Sequence, residues 1–241
     1  MNPVVNTRVR VIDLGRMEYQ AAWDYQTTRY ESTIRQKLEN REQGTDVPTT
    51  NHLIMVEHPH VFTLGKSGDE KNLVIPQHRL STIEASYHRI NRGGDITYHG
   101  PGQLVVYPVL DLENFFTDIH RYMRCLEEVV ILTLAEFGIA AGRYPGLTGV
   151  WLDPEDSRRA RKICALGVKT SRWVTLHGLA LNVNPDLTYF NFIVPCGISD
   201  KAVTSMEKES GHPFPMDRVK EVLQAKFADV FGAQLVSATA D

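Results

Sequence analysis

The fold is decided by KICALGVKTSRWVTLHGLALNV, residues 162–183. Its two ends, 162–169 and 176–183, are rich in branched and alternating apolar residues, a composition typical of β-strands. Simple alternation along the first strand would place Lys162, Cys164, Leu166 and Val168 on one face, and Ile163, Ala165 and Gly167 on the other. A lysine that begins a largely apolar strand either carries its ammonium to water or serves a function, and the strand alone leaves both interpretations open.

Further strand candidates with the same apolar composition lie at 52–58, 103–112 and 149–153. One helix is predicted to begin at Asp118, as its N-cap, and to end at Gly138, and a second to run from near Asp217 to Gly232. A rough helical pattern over residues 17–40 predicts a surface helix. Since these elements follow no regular βαβ repeat, we expect an α/β or α+β fold, with a mixed sheet flanked by helices.

The composition is that of a globular protein of 241 residues, with 42% hydrophobic and 23% charged residues. We expect one domain over residues 1–241, because the polar stretches 39–50 and 153–162 are typical of exposed loops and neither resembles a linker. The net charge of -3 offers no general basic field for a phosphate backbone, so no nucleic-acid partner is expected.

No stretch of the sequence is apolar and long enough for a signal peptide core or a bilayer span, so we expect a cytoplasmic protein with no membrane partner. Its three cysteines are too few and too scattered for a disulfide framework or a cysteine zinc site. The spacing of His52, His58 and His60 matches no strong zinc pattern, and no metal is predicted.

The segment RINRGGDITYHGPGQL, residues 89–104, is rich in glycine and runs directly into a strand candidate. Glycine lets the backbone approach a ligand closely, so the segment could wall a cleft and present Arg92, Tyr98 and His99 to it. A tight hairpin would explain the same glycines. The spacing is not that of a phosphate-binding loop, so nothing here favours a nucleotide.

The segment NFIVPCGISD, residues 191–200, predicts a short apolar strand that ends at Pro195, with the Cys196 thiol accessible on a rigid turn. Cys125, in the middle of a predicted helix, fits an inert small apolar residue. Accessibility alone does not activate Cys196, because an ordinary thiol with no cationic neighbour is only a few per cent thiolate at neutral pH.

Four segments together resemble the lipoyl (octanoyl) transferases of lipoate biosynthesis, and they occur in that family's order: RGGDITYHGPGQLVVYPVLDL (92–112), KICALGVK (162–169), HGLALNV (177–183) and IVPCGISD (193–200). The loop EHPHVFTLGKSG, residues 57–68, is similar to that family as well. The resemblance implies the fold of biotin and lipoate protein ligases, a mixed sheet flanked by helices.

The activity implied by the resemblance is transfer of an octanoyl group from octanoyl-acyl carrier protein to a specific lysine of a lipoyl domain, through an enzyme thioester. Acceptors would be the lipoyl domains of 2-oxoacid dehydrogenase E2 subunits and the glycine cleavage H protein; the enzyme would be a monomer without a cofactor. Cys196 matches the nucleophile and Lys162 the activating lysine. The segments matched to the acyl site contain Arg92, Gly93, Gly94, Asp95, Ile96, Thr97, Tyr98, His99, Ala165, Leu166, Gly167, Gly178, Leu179 and Ala180.

One departure from the family pattern is Cys164, where a small residue such as alanine is more usual. It lies two residues from Lys162, and we expect it to be buried and structural, since a thiol at a strand centre packs well and is hard for a carrier protein to reach.

Three rival functions remain on sequence grounds. An ATP-dependent biotin or lipoate ligase would share the fold and the lysine but would need no cysteine. A non-catalytic protein that binds acyl carrier protein or lipoyl domains would share the binding groove of this fold but would catalyse no transfer. A cysteine-histidine hydrolase is less favoured, because the sequence pairs no histidine with Cys196, and His99 could simply line the pocket.

Overall fold

The structure is a computed structural model that describes residues 5–194 and 202–237. Cys196 and its predicted turn lie outside the described residues. The strands and helices of the described part are β1 (Arg8–Arg16), α1 (Tyr19–Gln43), β2 (Asn51–Glu57), β3 (Val61–Leu64), β4 (Ser86–Arg89), β5 (Ile96–His99), β6 (Gln103–Val109), α2 (Ile119–Glu136), β7 (Gly142–Tyr144), β8 (Leu147–Leu152), β9 (Arg161–Ser171), β10 (Val174–Asn182), β11 (Ala202–Val203), α3 (Met206–Ser210), α4 (Met216–Phe231) and β12 (Gln234–Ser237).

The main sheet is mixed, and its strand order is β12-β1-β2-β6-β10-β9-β8-β7, with β11 added beside β9. Strand β1 runs parallel to both of its neighbours, and β11 runs parallel to β9. The remaining pairs, β2-β6, β6-β10, β10-β9, β9-β8 and β8-β7, are antiparallel. A second sheet has the order β4-β3-β5. The mixed sheet expected from the sequence is therefore confirmed.

Helices cover both faces of the main sheet. On β2, Leu53 and Met55 pack in the core that includes residues of α2 and α4, while Ile54 and Val56 pack in the core that includes residues of α1. Because both faces are covered, the central strands read as continuous apolar runs rather than as an apolar and polar alternation. The small sheet has a core of its own, built around Phe62.

The helix ends follow the signals in the sequence. The Asp118 carboxylate accepts the Arg121 N–H at 3.0 Å and caps α2, and Gly138 follows the helix at φ +73°. Helix α4 begins at Met216 and ends before Gly232, whose φ is +62°. The first helix continues past the predicted residue 40 to Gln43. No helix in the described ranges is both long enough and apolar enough to cross a membrane.

Three local predictions were wrong. The strand predicted over 103–112 ends at Val109, and a 3₁₀ helix, Leu112–Asn114, follows because the Asp111 carboxylate accepts the Glu113 N–H. The short strand predicted before Pro195 is preceded by a 3₁₀ helix, Leu187–Phe192, so only an isolated bridge of Ile193 to Leu73 remains. The segment 89–104, for which a tight hairpin was one interpretation, forms none, because its strand β5 pairs with β3 in the small sheet whereas β6 belongs to the main sheet.

Candidate active site

A cavity lies between the small sheet and strands β9 and β10 of the main sheet, and an adjoining hollow extends it toward α1. Most of the side chains and backbone segments predicted for the acyl site line these two spaces: Arg92, Gly94, Ile96, Thr97, His99, Ala165, Leu166, Gly167, Gly178, Leu179 and Ala180. Lys162 lines the outer space. The fold thus brings together segments that are far apart in the sequence.

Three residues of the same prediction lie behind this lining. The Gly93 N–H donates to the Val168 carbonyl at 3.1 Å and joins the segment to β9. The Asp95 carboxylate accepts from the Asn72 amide at 2.6 Å, and Tyr98 is buried in the core of the small sheet. Gly93, Asp95 and Tyr98 therefore support the wall from outside.

Lys162 does not share a face with Cys164, so the alternation predicted for β9 was wrong at its start. The pairing of β8 with β9 shifts register there: Val150 lies opposite Cys164, but Trp151 lies opposite Lys162. Such an irregularity turns the side chains before it toward the other face. The Lys162 ammonium consequently lies 4.7 Å from the centre of the Trp151 ring, within the reach of a cation–π contact.

Cys164 is completely buried in the core of the main sheet. Burial raises the pKa of its thiol, and this outweighs a hydrogen bond to backbone and the nearby charge of Lys162, both of which lower that pKa. The structural role expected for Cys164 agrees with this burial. Cys125 is only partly buried, on α2.

Replacement of Cys164 by alanine is expected to leave acyl transfer within about threefold of wild type. The change removes one buried sulfur atom, so we expect it to lower the free energy of unfolding by about 1 kcal/mol. Initial rates and urea unfolding of the C164A variant test both statements. Loss of the acyl-enzyme in this variant would instead make Cys164 the acyl carrier.

The Arg92 guanidinium is held by backbone carbonyl groups. It donates to Gly93 at 2.9 Å, to Asp95 at 2.8 Å and to Thr63 at 3.1 Å. Its stem lies against Gly167, where an added Cβ would be 2.7 Å from the Arg92 Cδ. Arg92 therefore connects the small sheet to β9 while it lines the cavity.

Two buried histidines, His99 and His177, line the inner hollow, and the ring of the buried His58 lies 5.9 Å from that of His99. Burial lowers the pKa of His58 to about 4 and the pKa values of His99 and His177 to about 3. The His58 Nδ1–H donates to the Met17 carbonyl at 2.8 Å, which leaves Nε2 to accept the hydroxyl of Tyr107 at 2.8 Å. All three imidazoles are neutral at pH 7, so they add no charge beside the hollow.

We expect the protein to lose stability as the pH falls from about 6.5 to about 4. In this window the unfolded chain binds a proton at each of these three histidines, whereas the folded protein keeps them neutral. The free energy of unfolding should therefore fall with pH by about 1.4 kcal/mol per pH unit for each such histidine. Urea unfolding at pH 7.5, 6.0 and 5.0 measures this slope. A His177→Gln variant should reduce the slope by about 1.4 kcal/mol per pH unit, the contribution of one proton. Equal stability at pH 7.5 and 5.0 would contradict the assignment.

A chain of buried amides runs from the inner hollow to the backbone beside Lys162. The His99 Nδ1–H donates to the Gln103 side-chain oxygen, Oε1, at 2.7 Å, and the Gln103 Nε2–H donates to the Asn182 Oδ1 at 2.9 Å. Asn182 donates to the Thr204 carbonyl at 2.9 Å, and the Thr204 N–H donates to the Lys162 carbonyl at 2.9 Å. Gln103, Asn182 and Trp151 were not predicted as site residues, although the first two lie inside the segments quoted above.

The described residues on either side of 195–201 are anchored next to the cavity. Before this segment, the Val194 N–H donates to the Asn72 carbonyl at 2.8 Å. After it, Ala202 and Val203 pair with β9, with Val203 opposite Lys162. Ala202 and Val203 also line the outer space.

The described residues contain no group of three or more histidine, cysteine, aspartate or glutamate side chains that could hold a metal ion. His58 and His60, which the sequence places two residues apart, have separate partners. His60 shares a hydrogen bond of 2.8 Å with the Tyr98 hydroxyl, whereas His58 contacts Met17 and Tyr107.

Comparison with known proteins gives two kinds of relative. The octanoyltransferase of Cytophaga hutchinsonii is 56% identical over 241 residues, which cover 99% of each chain, and that of Christiangramia forsetii is 55% identical over 96% of this chain and 99% of its own. Among solved structures, a bipartite lipoate protein ligase from Thermoplasma acidophilum covers 98% of this chain and 88% of its own, with a TM-score of 0.72 at 17% identity.

These relatives separate fold from activity. At 17% identity the ligase shows only that the fold is shared, whereas identities above half over nearly the full length show an octanoyltransferase. Residues 18–228 match the family described as the lipoyl protein ligase A/B catalytic domain. The chain therefore belongs to the lipoyl protein ligase A/B catalytic domain family and is an acyltransferase of its octanoyltransferase group.

Proposed function

We propose that the protein transfers an octanoyl group from octanoyl-acyl carrier protein to a specific lysine of a lipoyl domain, with Cys196 as the acyl-carrying nucleophile and Lys162 as its basic partner. The observation that carries this proposal is the position of Lys162. Its ammonium lies in the outer space of a cavity lined by Ala165 and Ala180, next to the backbone that leads out of the Cys196 segment.

In the first half-reaction, the Cys196 thiolate attacks the carbonyl carbon of the octanoyl thioester. The bond between this carbon and the carrier sulfur breaks, and the Lys162 ammonium gives its proton to the leaving thiolate. A nearby ammonium suits this step, because it favours the thiolate form of the nucleophile before attack and supplies an acid after it. The acyl group is then held on Cys196 as a thioester.

In the second half-reaction, the amine of the acceptor lysine attacks the same carbonyl carbon. Lys162, neutral after the first step, takes the proton that the amine loses, the bond to Cys196 breaks, and an amide forms. No ATP is consumed, since a thioester is already activated toward an amine. The cycle ends with the Cys196 thiolate and the Lys162 ammonium restored.

The lining of the cavity fits an acyl chain better than a charged group. Its inner part is bounded by the backbone or side chains of Gly167, Gly178 and Ala180, next to neutral imidazoles. Small residues leave room for an alkyl chain, and the neutral imidazoles beside them place no additional charge against that chain. The Arg92 guanidinium also lines this part, and it donates to the carbonyl groups of Gly93, Asp95 and Thr63.

The proposed acceptors are the lipoyl domains of 2-oxoacid dehydrogenase E2 subunits and the glycine cleavage H protein. We propose that residues 1–241 act as one catalytic domain, as a cytoplasmic monomer without a cofactor. Transfer to these acceptors would be the first step of endogenous protein lipoylation.

Intact-mass spectrometry tests this function. The protein is incubated with octanoyl carrier protein, without nucleotide, and an apo lipoyl domain is then added. We expect one octanoyl group on the enzyme, located on Cys196 by peptide mapping, followed by its movement to the lipoyl domain. Product that forms only with free octanoate and ATP would favour a ligase, and tight binding of the lipoyl domain without any labelled product would favour a non-catalytic binding protein.

A further inference from the structure

We propose that Glu127 of α2, on the opposite side of the main sheet from the cavity, is a positioning residue for Lys162 and acts through the backbone of Gly149. The inference rests on the proposed function, in which Lys162 is the basic partner. The contacts that support it are separate from the observations that selected Lys162. They lie on β8, the strand against which the Lys162 side chain packs.

The Lys162 side chain rests on β8. An added Cβ on Gly149 would lie 3.3 Å from the Lys162 Cε and 2.8 Å from the Cys164 carbonyl oxygen. Two residues further along β8, the Trp151 ring lies under the ammonium. The Lys162 stem therefore packs on the backbone of Gly149, and a side chain at this position would displace either the stem or β9.

The backbone conformation of Gly149 is unusual. Gly149 has a φ of +124°, a region that residues with a Cβ rarely adopt, and it stands directly before the register shift between β8 and β9. The same shift places Lys162 opposite Trp151 instead of on the face of Cys164. Whatever fixes Gly149 therefore helps to fix the face on which the lysine lies.

Glu127 supplies that restraint from behind the sheet. Its Oε1 accepts the Gly149 N–H at 3.1 Å, a buried contact between residues 22 positions apart. The Glu127 side chain is completely buried, and its Oε2 accepts from Arg124 at 2.9 Å and Arg143 at 3.0 Å. Since both oxygens are occupied, the carboxylate cannot rotate without breaking a charge-assisted contact.

The buried Gly149 N–H needs an acceptor, and that acceptor is a side chain of α2. The two arginines already offset the buried charge of Glu127, and the other oxygen could have bonded within α2. Instead it bonds to the residue on which the lysine stem lies. This geometry ties the orientation of Lys162 to a helix that does not line the cavity.

Two pairs of variants test the inference. Glu127→Leu removes the acceptor for the Gly149 N–H, while Glu127→Gln keeps a carbonyl oxygen there and removes the charge. Gly149→Ala adds the Cβ that meets the lysine stem, while Gly146→Ala adds a Cβ at another glycine of positive φ, +77°, that has nothing within 4 Å. The measurements are kcat and KM for octanoyl transfer, and the pH dependence of Cys196 alkylation, read by peptide mass spectrometry.

We expect Glu127→Leu and Gly149→Ala to lower kcat by about 10- to 100-fold with KM within about threefold, the loss that follows from misplacing a catalytic group by about 1 Å. The midpoint of Cys196 alkylation should move to higher pH in both, because the ammonium stands farther from the thiol. Glu127→Gln should recover kcat to within about fivefold of wild type, and Gly146→Ala should match wild type.

The results separate this inference from the proposed function. If Lys162→Met is inactive while Glu127→Leu keeps a normal kcat and alkylation midpoint, the inference is wrong and the function stands. If Lys162→Met itself retains wild-type transfer, the role proposed for Lys162 is wrong and the inference falls with it, whereas absence of any octanoyl transfer by the wild-type protein would overturn the proposed function. Should Glu127→Leu fail to fold, Gly149→Ala against Gly146→Ala decides, and equal kcat values in that pair would overturn the inference.

Discussion

Lys162→Met is expected to lower kcat/KM for octanoyl transfer by about 10³-fold, while the protein remains folded. Methionine keeps an unbranched stem of similar length but removes both the positive charge that stabilises a thiolate and the proton that each half-reaction moves. General acid and base groups contribute about 10²- to 10⁴-fold to rates, and this lysine would serve in both directions. Rapid quenching of acylation and of deacylation should show that each half-reaction is slowed.

Lys169→Met is the matched control, because it removes the same group from the far end of β9. The Lys169 ammonium lies 5.5 Å from the centre of the Tyr30 ring and is absent from the outer space that Lys162 lines. Transfer by this variant should stay within about threefold of wild type, as expected for loss of a single cation–π contact. Equal losses in the two variants would mean that the effect of Lys162 comes from the general charge of the strand.

Gly178→Ala is expected to prevent stable folding or to lower the free energy of unfolding by at least about 3 kcal/mol. An added Cβ would lie 2.1 Å from the Val106 carbonyl oxygen and 2.7 Å from the Pro108 Cδ. The first of these atoms is backbone of β6, which pairs with β10 at this point, so relief requires the two central strands to separate. Urea unfolding followed by circular dichroism measures the loss.

Gly138→Ala supplies the comparison for this change. Its Cβ would have no atom within 4 Å, so its cost should come only from the left-handed backbone at φ +73° and should be about 1 to 2 kcal/mol. A Gly178→Ala protein as stable as this control would mean that the central strands can move apart at little cost.

The helix ends and the central strands could be predicted from the sequence because their signals are local. Asp118 caps α2 through its own side chain, and Gly232 ends α4 by adopting a positive φ. The buried position of Cys164 also followed from the apolar strand around it. In each case the residues that decide the structure are neighbours in the chain.

Lys162 shows why the rest could not be predicted. Its spacing from Cys164 implied a shared face, but the pairing with β8 shifts register at that point, and nothing within β9 signals the shift. The residues that accompany it are Gly149 and Trp151, which come from the partner strand. Family resemblance selected Lys162 and Cys196 as functional residues, and the three-dimensional contacts explain how the lysine is held.

Gln103 and Asn182 were missed for a related reason. Each is a single amide within an apolar strand, where the sequence favours no role beyond a hydrogen bond. Only the fold reveals that both belong to one chain of contacts between His99 and the backbone next to Lys162. Long-range connections of this kind leave no periodic signal in the sequence.

The anchoring on either side of residues 195–201 has a consequence for heat inactivation. Val194 is tied to Asn72 near the small sheet, whereas Val203 pairs with β9 of the main sheet. The core around Phe62 is much smaller than the core of the main sheet, and small cooperative units open at lower free energy than large ones. Warming should thus release the first anchor while the main sheet is intact, and catalytic half-life would be governed by partial unfolding rather than by the global melting temperature.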